Sequence, residues 1–325
     1  MGGGGVMNPP NVSSCLKKDI RDFCILRYGD GVGYRTPIWV MTAFDRFLFE
    51  NDFQEPYPTR KMIDNYLMSI SHLASKTRAS YNNPVRQFCK FMAQTHADCY
   101  VPDPVRRVEV VHTPYIFTRE EIHTLAVGAS KLSPQWSLRG ETLKTLFTLL
   151  YTTGLRVGEA RSLNIENFYP ENLRLLVRNG KFHKSRWIPI RPSTCAALVH
   201  YISLRQERTL LSPNTPLFVS IRNKRIPYNS ILGPFRKIFR NEINSDQTPH
   251  LHDLRHSFAV ACLLRWYRDG KDINSRLPSL ATYMGHVEIR STQAYLHATP
   301  ELKQAVYQRS LNYVHEHVLD QGEVK

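Results

Sequence analysis

Between Arg60 and Leu73 the chain reads RKMIDNYLMSISHL, and Met62, Tyr66, Ile70 and Leu73 fall at i, i+4, i+8 and i+11. That period predicts a helix with one apolar stripe. Ile38 to Phe49, IWVMTAFDRFLF, is a second apolar-rich segment, and TRASYNNPVRQFCKFMAQT continues the pattern with several basic residues. No strand alternation interrupts this region, so the chain up to about residue 100 reads as a small all-helical domain. The next stretch, VPDPVRRVEVVHTPYIF from Val101 to Phe117, has three prolines, no helical period and a short β-branched run. Such a composition predicts a linker. Thr118-Arg-Glu-Glu121 then offers a capping box, with a Thr side chain for the Glu121 N–H and a Glu to reach back, and a second domain is expected to open there.

The second domain mixes both element types. Glu141 to Thr153 predicts a helix, closed by Gly154 at a left-handed C-terminal position. Leu173 to Ile190, LRLLVRNGKFHKSRWIPI, is two β-prone runs around a polar turn with a glycine, a hairpin pattern. Ser193 to Leu204 is helical again. Asn229 to Asn241 places Leu232, Phe235 and Phe239 on one side and Arg236, Lys237 and Arg240 elsewhere. His252 to Trp266 predicts a further helix, with Leu254, Phe258, Ala261 and Cys262 as its buried side. Glu301 to Val318 reads as a terminal helix carrying Leu302, Val306 and Val314. The expected class is mainly α with a small β-sheet, an α+β second domain behind an all-helical first one. The expected boundaries are a flexible tail at 1–11, the helical domain at 12–104, a linker at 105–116 and the second domain at 117–325.

Charge adds the first functional constraint. The 325 residues carry 43 Lys+Arg against 28 Asp+Glu, a net +15 and a pI near 9.6. A surplus of that size calls for a polyanionic partner, most often nucleic acid. It turns the basic side of Asn229 to Asn241 from a solvated face into a candidate DNA-facing one. A membrane partner is disfavoured, because the longest clean apolar run near a helix, Ala259 to Leu264, is far short of a span. No basic-then-apolar leader is visible at the start, where MGGGG reads as a flexible tail. GDGVG at Gly29 to Gly33 lacks the GxGxxG spacing and a preceding strand, and reads as a loop. Six scattered cysteines form no CxxC pair, which argues against a zinc ribbon and for a reducing, cytoplasmic setting.

Four stretches carry candidate chemistry. In TTGLRVGEARSL, Arg156 follows a glycine turn and Glu159 comes three residues on; alone, this is an ordinary helix-terminal ion pair. In NGKFHKSRW, Lys181 sits in the hairpin turn. In HLHDLRHSF, His252 and Arg255 share a face at a helix start, where guanidinium, imidazole and backbone N–H groups suit a phosphate. In GHVEIRSTQAYLHA, His286 and Tyr295 lie nine positions apart. A rival reading takes His252 and His256, with Asp253 between, as an imitation of the HExxH zinc motif; the acid is short for a base and no third ligand is evident. Taken together, the four supply cations and a phenol, without a carboxylate cluster for a divalent metal or GxxxxGK for ATP. Such a set suits attack on a phosphodiester without metal or other cofactor. The arginines would offset developing charge, the tyrosine would hold the phosphate covalently, and a lysine or histidine would protonate the departing oxygen.

This constellation closely resembles the tyrosine recombinase (phage integrase) family, through TGLRVGE, GKFHKSRWIPI, HDLRHSFA and MGHVEIRSTQAYLHA in that order. The resemblance covers roughly Thr118 to Tyr307. It implies a helical core-binding domain and a catalytic domain closing as a C-shaped clamp on double-stranded DNA, in homotetramers that exchange strands in sequential pairs. Carried over by position, it implies that Arg156 and Arg255 grip the scissile phosphate and that Tyr295 attacks it, leaving a 3′-phosphotyrosyl link. Lys181, with Lys184 as second choice and otherwise a DNA contact, would protonate the 5′-oxygen. His252 would take part in proton transfer and His286 would bond the phosphate. Glu159 would support the site and His256 would be structural. The activity implied is DNA integration, excision or transposition in the cytoplasm, on the nucleoid. The terminal helix would pack in place or on a neighbouring protomer. A non-cleaving, sequence-specific DNA-binding protein of the same fold stands as the alternative, with a zinc hydrolase built on His252 and His256 more remote.

Overall fold

The computed structural model describes residues 11–29, 35–106, 114–134, 136–178, 185–243, 247–285 and 304. The chain divides into two compact units, Met1–Val111 and His112–Lys325.

The described part of the first unit is helical: α1 (Lys17–Gly29), α2 (Arg35–Glu50), α3 (Arg60–Ser69) and α4 (Ser75–Met92). Leu16, Ile20, Phe44, Met62 and Phe88 are fully buried at its centre, with Phe44 edge-on to Tyr66 at 4.9 Å between ring centroids. The start of α1 is tied down by Asp45 of α2, which accepts from the Ser13 and Ser14 N–H groups at 2.7 and 3.1 Å. Thr59 caps α3, its hydroxyl accepting from the Met62 N–H. The apolar stripe outruns the helix here. α3 stops at Ser69, and Leu73 belongs to the following turn, where its N–H donates to the Ile70 carbonyl. The stripe survives because that turn folds Leu73 against the same core.

The capping box of the second unit forms as its sequence predicts. Thr118 and Glu121 form a reciprocal capping box at the start of α5 (Arg119–Ser130). α6 (Arg139–Thr153) is the central helix; Leu143, Leu146, Phe147 and Leu150 are fully buried in the main core. It ends on Gly154 in the left-handed region, φ +61, a conformation that costs an L-residue with a side chain about 1 kcal/mol or more. The missing side chain matters as much, because a Cβ on Gly154 would lie 2.4 Å from Phe258 Cδ1. The short α7 (Val157–Ser162) follows at once.

Strands β1 (Phe168–Tyr169), β2 (Arg174–Val177) and β3 (Arg186–Pro189) make an antiparallel sheet in the order β1-β2-β3. Leu175 pairs with Phe168 on one side and Ile188 on the other, and Val177 pairs with Arg186. Leu175, Val177 and Ile188 are buried, so the alternation sets one face of the sheet against the core. α8 (Pro192–Gln206) and α9 (Tyr228–Ile238) follow, and α9 runs into a π-turn over Phe239–Ile243. Phe235 and Phe239 are buried while Arg236, Lys237 and Arg240 are exposed, as the amphipathic pattern predicts.

α10 (Asp253–Arg268) departs from its predicted orientation. Ala261 is exposed, and the fully buried positions are Asp253, Leu254, Arg255, Ser257, Ala259, Val260 and Leu263. The apolar count leaves out Arg255, which the sequence reading assigns to a phosphate and not to the buried face. Arg255 is 1% exposed and its hydrogen bonds to main-chain carbonyls hold it inside. α11 (Ile273–Met284), capped by Asp272, ends on Gly285 with φ +68. No described helix is long and apolar enough to cross a membrane. The predicted terminal helix from Glu301 to Val318 lies outside the described residues, apart from Gln304.

Candidate active site

Two helix ends meet at the site. Gly154 turns the chain out of α6 and delivers Arg156 as the residue capping α7. Gly285 turns it out of α11. Three arginines, from three separate elements, bind the carbonyls at these two ends. Arg255 donates from Nη1 to Gly154 O at 2.6 Å and from Nη2 to Met284 O at 2.7 Å. Arg156 donates from Nη2 to Gly285 O at 2.7 Å. Arg186 of β3 donates from Nε to Tyr283 O at 2.8 Å and from Nη2 to Met284 O at 3.3 Å. Last-turn carbonyls have no partner inside their helix and carry its negative end, so guanidiniums are their natural complement.

Glu159 sits among these cations, its side chain 7% exposed. Arg186 grips it as a two-point fork, Nη1 to Oε1 at 3.0 Å and Nη2 to Oε2 at 2.8 Å. Arg156 adds Nη1 to Oε1 at 2.8 Å and its backbone N–H to Oε2 at 3.1 Å. Each carboxylate oxygen thus accepts two hydrogen bonds. Burial works to raise the Glu159 pKa, but the bonds and charges of Arg186 and Arg156 outweigh it and hold it below the usual carboxylate value. With the folded value depressed, this contribution to stability is present above the unfolded pKa and is lost as pH falls through the folded one.

His252 caps the N-terminus of α10, one turn before Arg255. Desolvation by the surrounding protein, then the charges of Arg255 and Arg156, push its pKa down to about 4, with Glu159 pulling the other way. His252 is partly open to solvent, where water weakens both effects without reversing their direction. His252 is therefore neutral at physiological pH and able to accept a proton. Since the folded value lies below the unfolded value of about 6.5, protonation favours the unfolded chain, and stability declines as pH falls from there toward 4. In an NMR titration of the imidazole protons, assigned with His252→Gln, this ring should titrate well below pH 6. A midpoint at or above 6.5 would show that the guanidiniums do not act on it.

The His256 ring stands edge-on to that of His252, with centroids 4.8 Å apart. Asp253 is turned inward and accepts from the His250 N–H at 2.7 Å. Among the described residues, no three His, Cys, Asp or Glu side chains are grouped to hold a metal ion, so the HExxH-like reading of His252 and His256 finds no third ligand there. The structure thus brings together Arg156, Glu159, His252, Arg255 and His256. The expected DNA contacts Arg236, Lys237 and Arg240 stand exposed on α9 and its π-turn. Lys181, Lys184, His286 and Tyr295 lie outside the described residues.

Sequence reasoning missed Arg186 and Gly285. Period two was the available signal for the arginine: Arg186 lies two residues from Ile188, which is buried, and its neighbour Trp187 is 44% exposed. An arginine at an inward strand position needs buried partners. Gly285 stands directly after a helical pattern, where a left-handed stop is common.

A mostly helical unit with a three-stranded sheet, and with three arginines and a histidine around two helix ends, belongs to a class with known relatives. The model of the Phage integrase family matches residues 117–301. The chain is 31% identical over 308 residues to y4rB of Sinorhizobium fredii, a protein assigned by name to the integrases and recombinases, covering 91% of this chain and 97% of that one. It is 27% identical over 258 residues to tyrosine recombinase XerD of Bifidobacterium longum, covering 75% and 79%. Among solved structures, its fold is similar to that of the Tn1549 transposon integrase in complex with circular intermediate DNA, with a TM-score of 0.62 at 17% identity, covering 90% of this chain and 99% of that one. It is also similar to the XerH site-specific recombinase bound to palindromic difH substrate, with a TM-score of 0.60 at 17% identity, covering 88% and 80%. The chain belongs to the phage integrase family, the tyrosine site-specific recombinases.

Proposed function

We propose that this chain cleaves and rejoins duplex DNA at specific sites through a covalent 3′-phosphotyrosine intermediate, in the integration, excision or transposition of a DNA element. The observation that carries the reading is the pairing of two site arginines, Arg156 and Arg255, on adjacent carbonyls of one helix end, with His252 one turn before Arg255. Fixed guanidiniums of this kind suit the charge that builds on the non-bridging oxygens of a phosphodiester under attack. The Tyr295 oxygen forms the new bond to phosphorus and passes its proton to His252. The bond to the 5′-oxygen breaks, and that oxygen takes a proton from Lys181. Rejoining reverses both transfers, so the bond energy is kept without ATP. His286 donates a hydrogen bond to the phosphate, and Glu159 and His256 hold the groups beside them. Arg236, Lys237 and Arg240 approach the DNA backbone, in line with the net charge of +15. The first unit serves as a helical core-binding domain and the second as the catalytic domain. Both bind the duplex, and four protomers act in sequential pairs. The expected place of action is the cytoplasm, on DNA.

The test is covalent capture from a library of randomised duplexes, each nicked so that cleavage frees a short strand and blocks rejoining. Wild-type protein should retain selected duplexes after denaturation. Tyr295→Phe should yield no adduct while binding the selected duplex with unchanged affinity. Binding without an adduct in the wild type would favour a non-cleaving DNA-binding protein, and an adduct in the Phe variant would remove Tyr295 as nucleophile.

A further inference from the structure

Arg186 spans more of the site than either arginine named by the sequence motifs. One guanidinium, 14% exposed, holds both oxygens of Glu159 and two successive carbonyls, Tyr283 O and Met284 O. It therefore ties β3, α7 and the end of α11 to one another. The corner beyond leaves no slack, because a Cβ on Gly285 would lie 2.9 Å from Arg186 Nη1. Arg255 shares the Met284 carbonyl with it, and Arg156 shares the Glu159 carboxylate.

The charge balance gives this clamp a chemical meaning. Among the described residues the three guanidiniums share one carboxylate, that of Glu159, so three positive charges meet one negative charge in this hydrogen-bonded cluster. A phosphodiester carries one negative charge, and its transition state on attack by a phenolate carries two. Without Arg186, Glu159 would spend the charge of Arg156, and one cation would face two negative charges in a partly dry site. Glu159 itself is held in place by its bonds to the Arg156 main chain and side chain, so it stays where its charge counts.

We propose that Arg186 is a positioning and charge-balancing residue of the strand-cleavage site, neutralising Glu159 so that Arg156 and Arg255 keep two net positive charges for the phosphate, and fixing the Tyr283–Gly285 corner on which those arginines rest. The inference rests on the phosphotyrosine reading above. Its test uses the full chain and the duplex selected by wild-type protein, and reads the single-turnover rate of adduct formation beside duplex affinity and thermal melting. Arg186→Gln should slow adduct formation at least about 30-fold while affinity changes less than about threefold, as befits a group that acts on the transition state. Arg186→Lys and the double variant Arg186→Gln/Glu159→Gln both retain the net charge. Arg186→Lys, which keeps the charge and loses the two-point fork, should fall between wild type and Arg186→Gln, and the double variant should also be faster than Arg186→Gln. A purely structural arginine would leave the double variant as slow as the single one or slower. If Arg186→Gln does not fold, the two charge-retaining variants decide: a loss beyond 100-fold in both, with native melting, overturns the proposal. So does an Arg186→Gln rate within threefold of wild type while wild type forms adduct. Absence of adduct in the wild type on every duplex would instead bring down the phosphotyrosine reading, and this inference with it.

Discussion

Arg255→Lys is expected to slow strand cleavage by roughly 10²–10³-fold, the usual effect of removing a preorganised donor from a site of developing charge. The reason lies in what one guanidinium does here. Arg255 is 1% exposed and bridges Gly154 O and Met284 O, which belong to different helix ends. A lysine brings the same charge on one nitrogen, without the planar fork that spans two acceptors at fixed separation. At least one buried carbonyl would lose its donor, at a cost of about 1–3 kcal/mol. Melting and adduct formation should therefore fall together. In a variant that only lost a phosphate contact, the rate would fall and the melting temperature would not. A lysine variant that cleaves within threefold of wild type would mean that Arg255 holds the fold and not the phosphate.

Gly154→Ala should be the most destabilising single substitution near the site that leaves every charged group in place. A methyl group would sit at φ +61 and 2.4 Å from Phe258 Cδ1. Left-handed strain costs about 1 kcal/mol or more, and overpacking against a held ring adds typically 1–3 kcal/mol. For a unit of this size the sum lowers the melting temperature by roughly 5–15 °C. Phe258→Leu in the same chain should restore the part due to crowding and not the part due to backbone strain. A change under about 2 °C for Gly154→Ala would show that α6 and α10 can separate without cost, and that the site is less tightly framed than its hydrogen bonds indicate.

How legible was this site in the sequence? Local features read well, because their physics is local. The Thr118 capping box, the Gly154 stop and the hairpin around residues 174–189 each depend on residues a few positions apart. The arginine of HxxR was placed as a phosphate ligand, yet its burial was not foreseen, and that misplaced the inner face of α10. Arg186 was missed altogether. Its partners are 27 residues away at Glu159 and 97 away at Tyr283, and no helical or strand period spans such distances. The stripe through Leu73 was correct about burial and wrong about helix, since a turn can keep an apolar residue on the same core.

Besides Glu159, the arginines of this site rest on main-chain oxygens: Gly154 O, Tyr283 O, Met284 O and Gly285 O. Every amino acid offers that oxygen. The demand that the arginines place on positions 283 and 284 is thus for a backbone path, while their side chains answer to other neighbours, Tyr283 stacking on Phe258 and donating its hydroxyl to Pro189 O, and Met284 filling the core beneath α10. Lineages can exchange those side chains for others of similar volume while the guanidiniums stay in register. The two glycines are different, because there the path itself fixes the residue. Sequence drift around a reaction centre built in this way is filtered by geometry before it is filtered by chemistry.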